Sequence, residues 1–410
     1  MLDKISYEWA SLRPSRYGQS TRTVSELRGQ YCTQVTFSWA IWESMHSVSD
    51  ALHDRAQAFV RAFESGSLMP EPFDALAVDI ARHQVAQSAS YARLAGRGAL
   101  VSASWTLASD IPAVPTDAFK MGHVGCVTSE DAKYTFRTSG TTMGARGEHR
   151  FRRIDTYELG AMAFGRACLF RGLGDAVRTL VLGPSAPDAP DSSLTHMNAL
   201  FEEEFGSVGP HPYYAREDRF DVARFVRDLS EPGFMDAPCI ILATSFALVH
   251  LIDELRGKML VLHPSSRVMQ TGGYKGKSRE VDAAELRAQV ATCFGIPQRQ
   301  VVSEYGMTEL SSQFYERTAV AAYAQSGVYF EPPWARVVPV DPETLQPVAD
   351  GEIGIARIVD LANVDSAVAV QTADRVRRVQ GGFELLGRTP GAVPRGCSLA
   401  AEEMMQNARE

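Results

Sequence analysis

The hydrophobic rhythm of the chain changes near residue 134. Before it, apolar residues recur at helical spacing. Val48, Leu52, Phe59 and Phe63 fall on one face of a helix, for which Ser47 or Ser49 offers an N-cap. A second amphipathic run covers 73–94 and ends at Gly96. The stretch D-I-P-A-V-P-T-D-A-F-K, 110–120, then breaks the pattern with two prolines and reads as an extended connector. Beyond 134 the apolar runs are short. Strands are expected at 179–182, 239–243, 268–270 and 301–303, and helices at 246–255 and 283–293. The turns after these strands carry Gly183-Pro184, Thr271-Gly272-Gly273 and Glu304-Tyr305-Gly306. Apolar strand, turn and helix in repetition predict an α/β fold with a largely parallel sheet. In such folds ligands gather beyond the carboxyl ends of the strands. The tail returns to strand patterns at 353–359, 368–372 and 383–386.

Composition narrows the function classes. The 410 residues are 45% hydrophobic and 22% charged, as in ordinary globular proteins, and long enough for two or three domains. The net charge of −8 argues against a nucleic-acid partner, which needs a basic face. The first residues lack the basic and apolar order of a signal peptide. The most apolar window, 239–255, is interrupted by Thr244, Ser245, His250 and Asp253, and is shorter than the ~20 residues of a membrane span. A cytoplasmic protein without a membrane span is expected. Six cysteines, at 32, 126, 168, 239, 293 and 397, form no C-x-x-C pair, so neither a zinc site nor a disulfide framework is expected.

Candidate chemistry concentrates in four stretches. The first is T-F-R-T-S-G-T-T-M-G-A-R-G-E-H-R, 135–150. Ser139, Gly140, Thr141, Thr142, Gly144, Arg146 and Gly147 fall within nine residues. Small residues let backbone N–H groups converge, hydroxyls add donors, and a cation closes the end, as a phosphate cradle requires. The Walker A order is absent, and a polar hairpin turn is the competing reading. The second stretch, 271–280, offers Gly272 and Gly273 for close approach to a flat ligand, or else is a basic surface turn. The third is S-E-Y-G-M-T-E-L, 303–310, in which Glu309 suits Mg²⁺ or the first turn of a helix. The fourth combines Q-T-A-D at 371–374 with G-F-E-L-L-G-R at 382–388. There Asp374 is an acceptor for ribose hydroxyls.

In this order the stretches resemble the adenylate-forming superfamily of acyl-CoA ligases and luciferase-like enzymes. More closely, the chain is similar to the acyl-protein synthetase (LuxE-like) family. That likeness runs from Ile111-Pro112 and Phe119-Lys120 through the Ser-Gly-Thr-Thr loop, P-D-S-S-L at 190–194, Y-G-M-T-E-L and D-L-A-N at 360–363, to P-R-G-C-S-L at 394–399. The resemblance implies the fold of the large N-terminal domain of these enzymes, with mixed, largely parallel sheets flanked by helices. The helical N-terminal part would be 1–120 and the core 121–388. Residues 389–410 would form a short stump in place of the mobile C-terminal domain and its catalytic lysine.

The resemblance also implies ATP and Mg²⁺ as cofactors and a carboxylic acid, fatty acyl in this family, as substrate. Ser139, Gly140, Thr141, Thr142, Gly144 and Arg146 would hold the β- and γ-phosphates. Gly272, Gly273, Tyr305 and Gly306 would line the adenine pocket. Thr308 would touch the α-phosphate, Glu309 would bind Mg²⁺, Asp374 would take the ribose hydroxyls, and Arg388 would approach the ribose or phosphate. Two departures stand out: Arg146 replaces the usual lysine, and Met143 displaces the usual glycine. In the LuxE-like family a cysteine in the last motif receives the acyl group as a thioester for a reductase partner, which assigns that role to Cys397. Arg395 beside it would lower the thiol pKa. The alternatives are a ligase passing its acyl group directly to CoA or an amine, and an inactive nucleotide-binding scaffold.

Overall fold

The computed structural model describes residues 31–96, 102–138, 146–174, 176–207, 212–216, 219–231, 233–272 and 281–388. Two units divide the chain, Met1–Ser47 and Val48–Glu410. The first is described only as the beginning of helix α1 (Tyr31–Ser65), and the second carries the fold.

Helix α1 runs through both serines expected to cap it. Ser47 and Ser49 are mid-helix, and Ser49 donates its hydroxyl to Asp365 Oδ1 at 2.6 Å instead. The helical pattern simply extends further toward the N-terminus than its strongest apolar residues. The run 73–94 is two helices, α2 (Phe73–Gln87) and α3 (Ala89–Leu94). Ser88 is extended between them and caps α3 by accepting the Tyr91 amide proton. The proline-bearing connector holds a two-residue strand, β1 (Val114–Pro115), and a single turn, α4 (Ala118–Met121).

Next comes a hairpin, β2 (Tyr134–Arg137) and β3 (Glu148–Phe151), which forms a two-stranded sheet of its own. Helix α5 (Asp155–Gly165) leads to β4 (Arg178–Leu182) and α6 (Ser193–Phe205). A small hairpin, β5 (Ala215–Arg216) and β6 (Arg219–Phe220), and helix α7 (Val222–Leu229) follow. Then strands and helices alternate: β7 (Cys239–Thr244), α8 (Ser245–Leu255), β8 (Arg267–Thr271), α9 (Ala283–Phe294) and β9 (Val301–Tyr305). Six further strands complete the chain, β10 (Phe314–Glu316), β11 (Val328–Phe330), β12 (Ala335–Val340), β13 (Ile353–Asp360), β14 (Ala369–Val379) and β15 (Gly382–Arg388).

Eleven strands make one mixed sheet in the order β12-β13-β14-β15-β11-β10-β9-β8-β7-β4, with β1 parallel to β14. The block β4-β7-β8-β9 is parallel, and the strands from β9 to β12 pair antiparallel. The parallel block is buried on both faces, which explains its near-continuous apolar runs. Cys239, Ile241 and Ala243 face one core cluster, while Ile240 and Leu242 face the other.

Each helix of that block starts and stops on a local signal. Thr244 accepts from the Ala247 amide to begin α8, and Arg256 and Gly257, both at positive φ, end it. Asp282 caps α9 through the Ala284 and Glu285 amides, and Gly295 in the left-handed conformation closes it. Thr271-Gly272 and Tyr305-Gly306 stand side by side at the carboxyl ends of the parallel neighbours β8 and β9.

Candidate active site

Strand β9 ends in the turn that carries Gly306, Met307, Thr308 and Glu309, and this turn is gripped from both sides. His149 of β3 donates from Nδ1 to the Thr308 carbonyl at 2.7 Å. Asn363 donates from Nδ2 to the Glu309 carbonyl at 3.0 Å. Asp360 adds a further hold, accepting from the Ser311 amide at 2.9 Å and the Ser312 hydroxyl at 2.7 Å. Burial pushes the Asp360 carboxyl up to about 6 despite those donors. The D-L-A-N stretch therefore pins the segment that follows Glu309.

Tyr305, Asp374 and Arg388, expected to meet a nucleotide, are brought together across three strands. The Tyr305 hydroxyl donates to Asp374 Oδ2 at 2.9 Å, and Arg388 Nε donates to Asp374 Oδ1 at 3.1 Å. Asp374 and Arg388 are register partners between β14 and β15, and the register shifts just after them, between Asp374 and Val376. Burial, then the Asp374 charge, holds the Tyr305 phenol well above its usual range, so it stays a donor. The Arg388 side chain is 83% exposed even while paired to Asp374.

Beside Tyr305, Gly272 adopts φ +69°, a conformation that favours glycine, and a Cβ there would meet nothing within 4 Å among the described residues. Gly306 is a glycine for the opposite reason. A Cβ would lie 2.4 Å from Glu304 Oε1. Glu304 is 6% exposed and accepts a hydrogen bond from the Thr271 hydroxyl. Burial pushes its carboxyl up to about 7, and the buried Tyr157 and Tyr315 lie within electrostatic range. This acid received no role in the sequence. Its signal was there, a lone carboxylate in the apolar run V-V-S-E-Y.

The hairpin loop is closed at its neck. The Thr138 amide donates to the Gly147 carbonyl at 2.9 Å, and the Gly147 amide donates to Thr138 Oγ1 at 2.8 Å. A Cβ on Gly147 would come within 3.2 Å of the Phe119 backbone, so Phe119 of the Phe119-Lys120 motif packs tightly against this glycine. Arg146 braces the same neck, donating to the Thr138 and Arg137 carbonyls at 2.7 and 3.2 Å and to Asp191 Oδ2 at 2.7 Å. Asp191 and Ser192 of the P-D-S-S-L motif therefore act locally, one holding Arg146 and the other capping α6. Ser139, Gly140, Thr141, Thr142, Gly144, Gly273 and Cys397 lie outside the described residues.

The groups present fit a nucleotide and its metal. Each Asp374 oxygen uses one acceptor site on the protein, leaving capacity for ribose hydroxyls. Mg²⁺ is usually held by one or two carboxylates plus substrate phosphates. Glu309, 7% exposed beside Thr308, suits that mode. Among the described residues no group of three His, Cys, Asp or Glu forms a metal cage. Burial pushes the thiols of Cys168, Cys239 and Cys293 up to about 11–12, so these cysteines are not poised as nucleophiles.

The family model described as "Acyl-protein synthetase, LuxE" matches residues 102–406. A long-chain-fatty-acid–luciferin-component ligase of Aliivibrio fischeri is 22% identical over 311 residues, covering 72% of this chain and 79% of the relative. Among solved structures, a 2-hydroxyisobutyryl-CoA ligase in complex with 2-HIB-AMP superposes with a TM-score of 0.56 at 14% identity, covering 77% of this chain and 67% of that one. ATP-bound MatB from Rhodopseudomonas palustris aligns with a TM-score of 0.44 at 14% identity over 72% of this chain. The chain spans about half, 53%, of MatB's length.

Proposed function

This chain belongs to the acyl-protein synthetase (LuxE) family of ATP-dependent, AMP-forming ligases, and from that premise we propose that it joins a fatty acid to AMP and passes the acyl group to Cys397. The observation that carries the proposal is the convergence of Tyr305, Asp374 and Arg388 beside Gly272 and the fixed Thr308–Glu309 turn. Asp374 accepts the ribose hydroxyls, Thr308 donates to the α-phosphate, and Glu309 holds Mg²⁺. When bound, the metal neutralises phosphate charge. A substrate carboxylate oxygen attacks the α-phosphorus, the new O–P bond forms, and the bond to pyrophosphate breaks. The protein's share is positioning and charge stabilisation. The Cys397 thiolate then attacks the acyl carbonyl, AMP leaves, and a thioester remains for a reductase or another acceptor. The assignment of a fatty acid follows the relative's substrate.

A panel of carboxylic acids in ATP–pyrophosphate exchange tests the first step. A long-chain acid is expected to drive exchange, and failure of every acid in the panel to drive it would overturn the reading. For the second step, protein incubated with ATP, Mg²⁺ and the active acid is weighed intact. A hydroxylamine-labile adduct that persists in Cys397→Ala would remove Cys397 from the scheme, and consumption of free CoA or an amine with no protein adduct would favour direct release.

A further inference from the structure

The β2–β3 hairpin shares no ladder with the main sheet. It nevertheless reaches the turn that carries Thr308 and Glu309. His149, on β3, makes a direct link. Its Nδ1 lies 2.7 Å from the Thr308 carbonyl oxygen. A carbonyl only accepts, so the proton is on Nδ1. The imidazole is 1% exposed, stacks on Phe151 at 4.1 Å and 25°, and meets the edge of Phe119 at 6.4 Å. Burial lowers its pKa to about 4, so it remains a neutral donor through the physiological range.

We propose that His149 is a positioning residue of the adenylation site. Its Nδ1–H ties the Thr308 carbonyl to strand β3 and so sets the direction of the Thr308 hydroxyl and the Glu309 carboxylate. The proposal rests on the roles given above to Thr308 and Glu309. Asn363 holds the very next carbonyl from the other side. With His149 removed, the Thr308 carbonyl loses that donor while Asn363 still holds the Glu309 carbonyl, so the orientation of the peptide between them is less tightly set.

Two variants separate positioning from packing. His149→Phe keeps a stacked ring and loses the donor, while His149→Asn keeps an N–H near the Nδ1 position and loses the stack. The Phe variant is expected to melt within a few degrees of the parent. In the ligand-free protein its amides at 308–310 should exchange about tenfold faster. Its kcat/KM for ATP should fall about tenfold or more in pyrophosphate exchange, with KM for the acid unchanged. His149→Asn should be the less stable of the two yet keep ATP kinetics within about threefold of the parent. Parental amide exchange and ATP kinetics in His149→Phe would overturn the proposal, as would activity losses that follow stability in both variants. If no acid supports pyrophosphate exchange in the parent, the functional reading falls on its own. Amide exchange in the ligand-free protein still decides whether His149 orders the turn.

Discussion

On the sheet side Tyr305, Glu309 and Asp374 are buried and hydrogen-bonded, whereas the charged groups of the β2–β3 hairpin face solvent. Tyr305, Glu309 and Asp374 are each less than a tenth exposed. Behind them, Arg287 and Glu316 form a buried pair at 2.6 Å, tied to Ser303 of β9 by both partners. On the hairpin, the Arg146 and Arg137 side chains are 41% exposed and paired to Asp191 and Glu148. A buried network has its geometry set before a ligand arrives, which is what stabilising a transition state by fixed dipoles requires. Exposed ion pairs are each worth little and exchange partners readily. Arg146 can therefore release Asp191 for a phosphate at small cost. The sheet side supplies fixed geometry, and the hairpin side supplies charge that adapts.

The largest effect that tests this contrast is on stability. Arg287→Ala leaves Glu316 buried without its partner and should cost about 3–5 kcal/mol by chemical denaturation. A loss below about 1 kcal/mol would show that the sheet side is no more rigidly held than the hairpin. Next comes Asp374→Ala, which removes the ribose acceptor and orphans the buried Tyr305 hydroxyl. Its kcat/KM for ATP should drop roughly a hundredfold, together with a fall in melting temperature.

Glu304 gives a pH signature. Its folded pKa of about 7 stands above the ordinary 4.5, so the folded state holds the proton more tightly. Below 4.5 both states are protonated and nothing is lost. As pH rises toward 7 the unfolded chain ionises first, and stability falls. Glu304→Gln should abolish this fall, gaining about 3 kcal/mol over the parent at pH 8 relative to pH 4.5 in denaturation curves. Parallel curves for the two proteins would place the ionisation elsewhere. The smallest effect is expected on the hairpin. Arg146→Ala should slow pyrophosphate release about tenfold and change stability by less than about 1 kcal/mol. Near-parental adenylation would remove Arg146 from the reaction.

Much of this was legible in residue order. The strands at 179–182, 239–243, 268–270 and 301–303 and the helices at 246–255 and 283–293 stand within a residue or two of expectation, because the strands are apolar runs and each helix starts and stops on a local capping signal. The antiparallel half was harder to read. In β14, Asp374, Arg375, Arg377 and Arg378 interrupt the apolar alternation, so an eleven-residue strand read as five. Strands β10 and β11 have three residues each, too few for a period. Ser49 shows the same limit in a helix: a good capping residue is also a good long-range donor, and the sequence does not say which use prevails.

The sequence by itself determined the α/β class, the family and the chemical types gathered at the strand ends, because these depend on local period and on motif order. Only the tertiary structure decided the partners. That Asp374 takes the Tyr305 hydroxyl, that Arg146 is shared with Asp191, and that Glu304 is buried against Thr271 and Gly306 all depend on contacts between residues distant in the chain. So does the grip of His149 on a carbonyl 159 residues away. Hydrogen bonds of this kind are fixed by strand register and burial, and no local pattern encodes them.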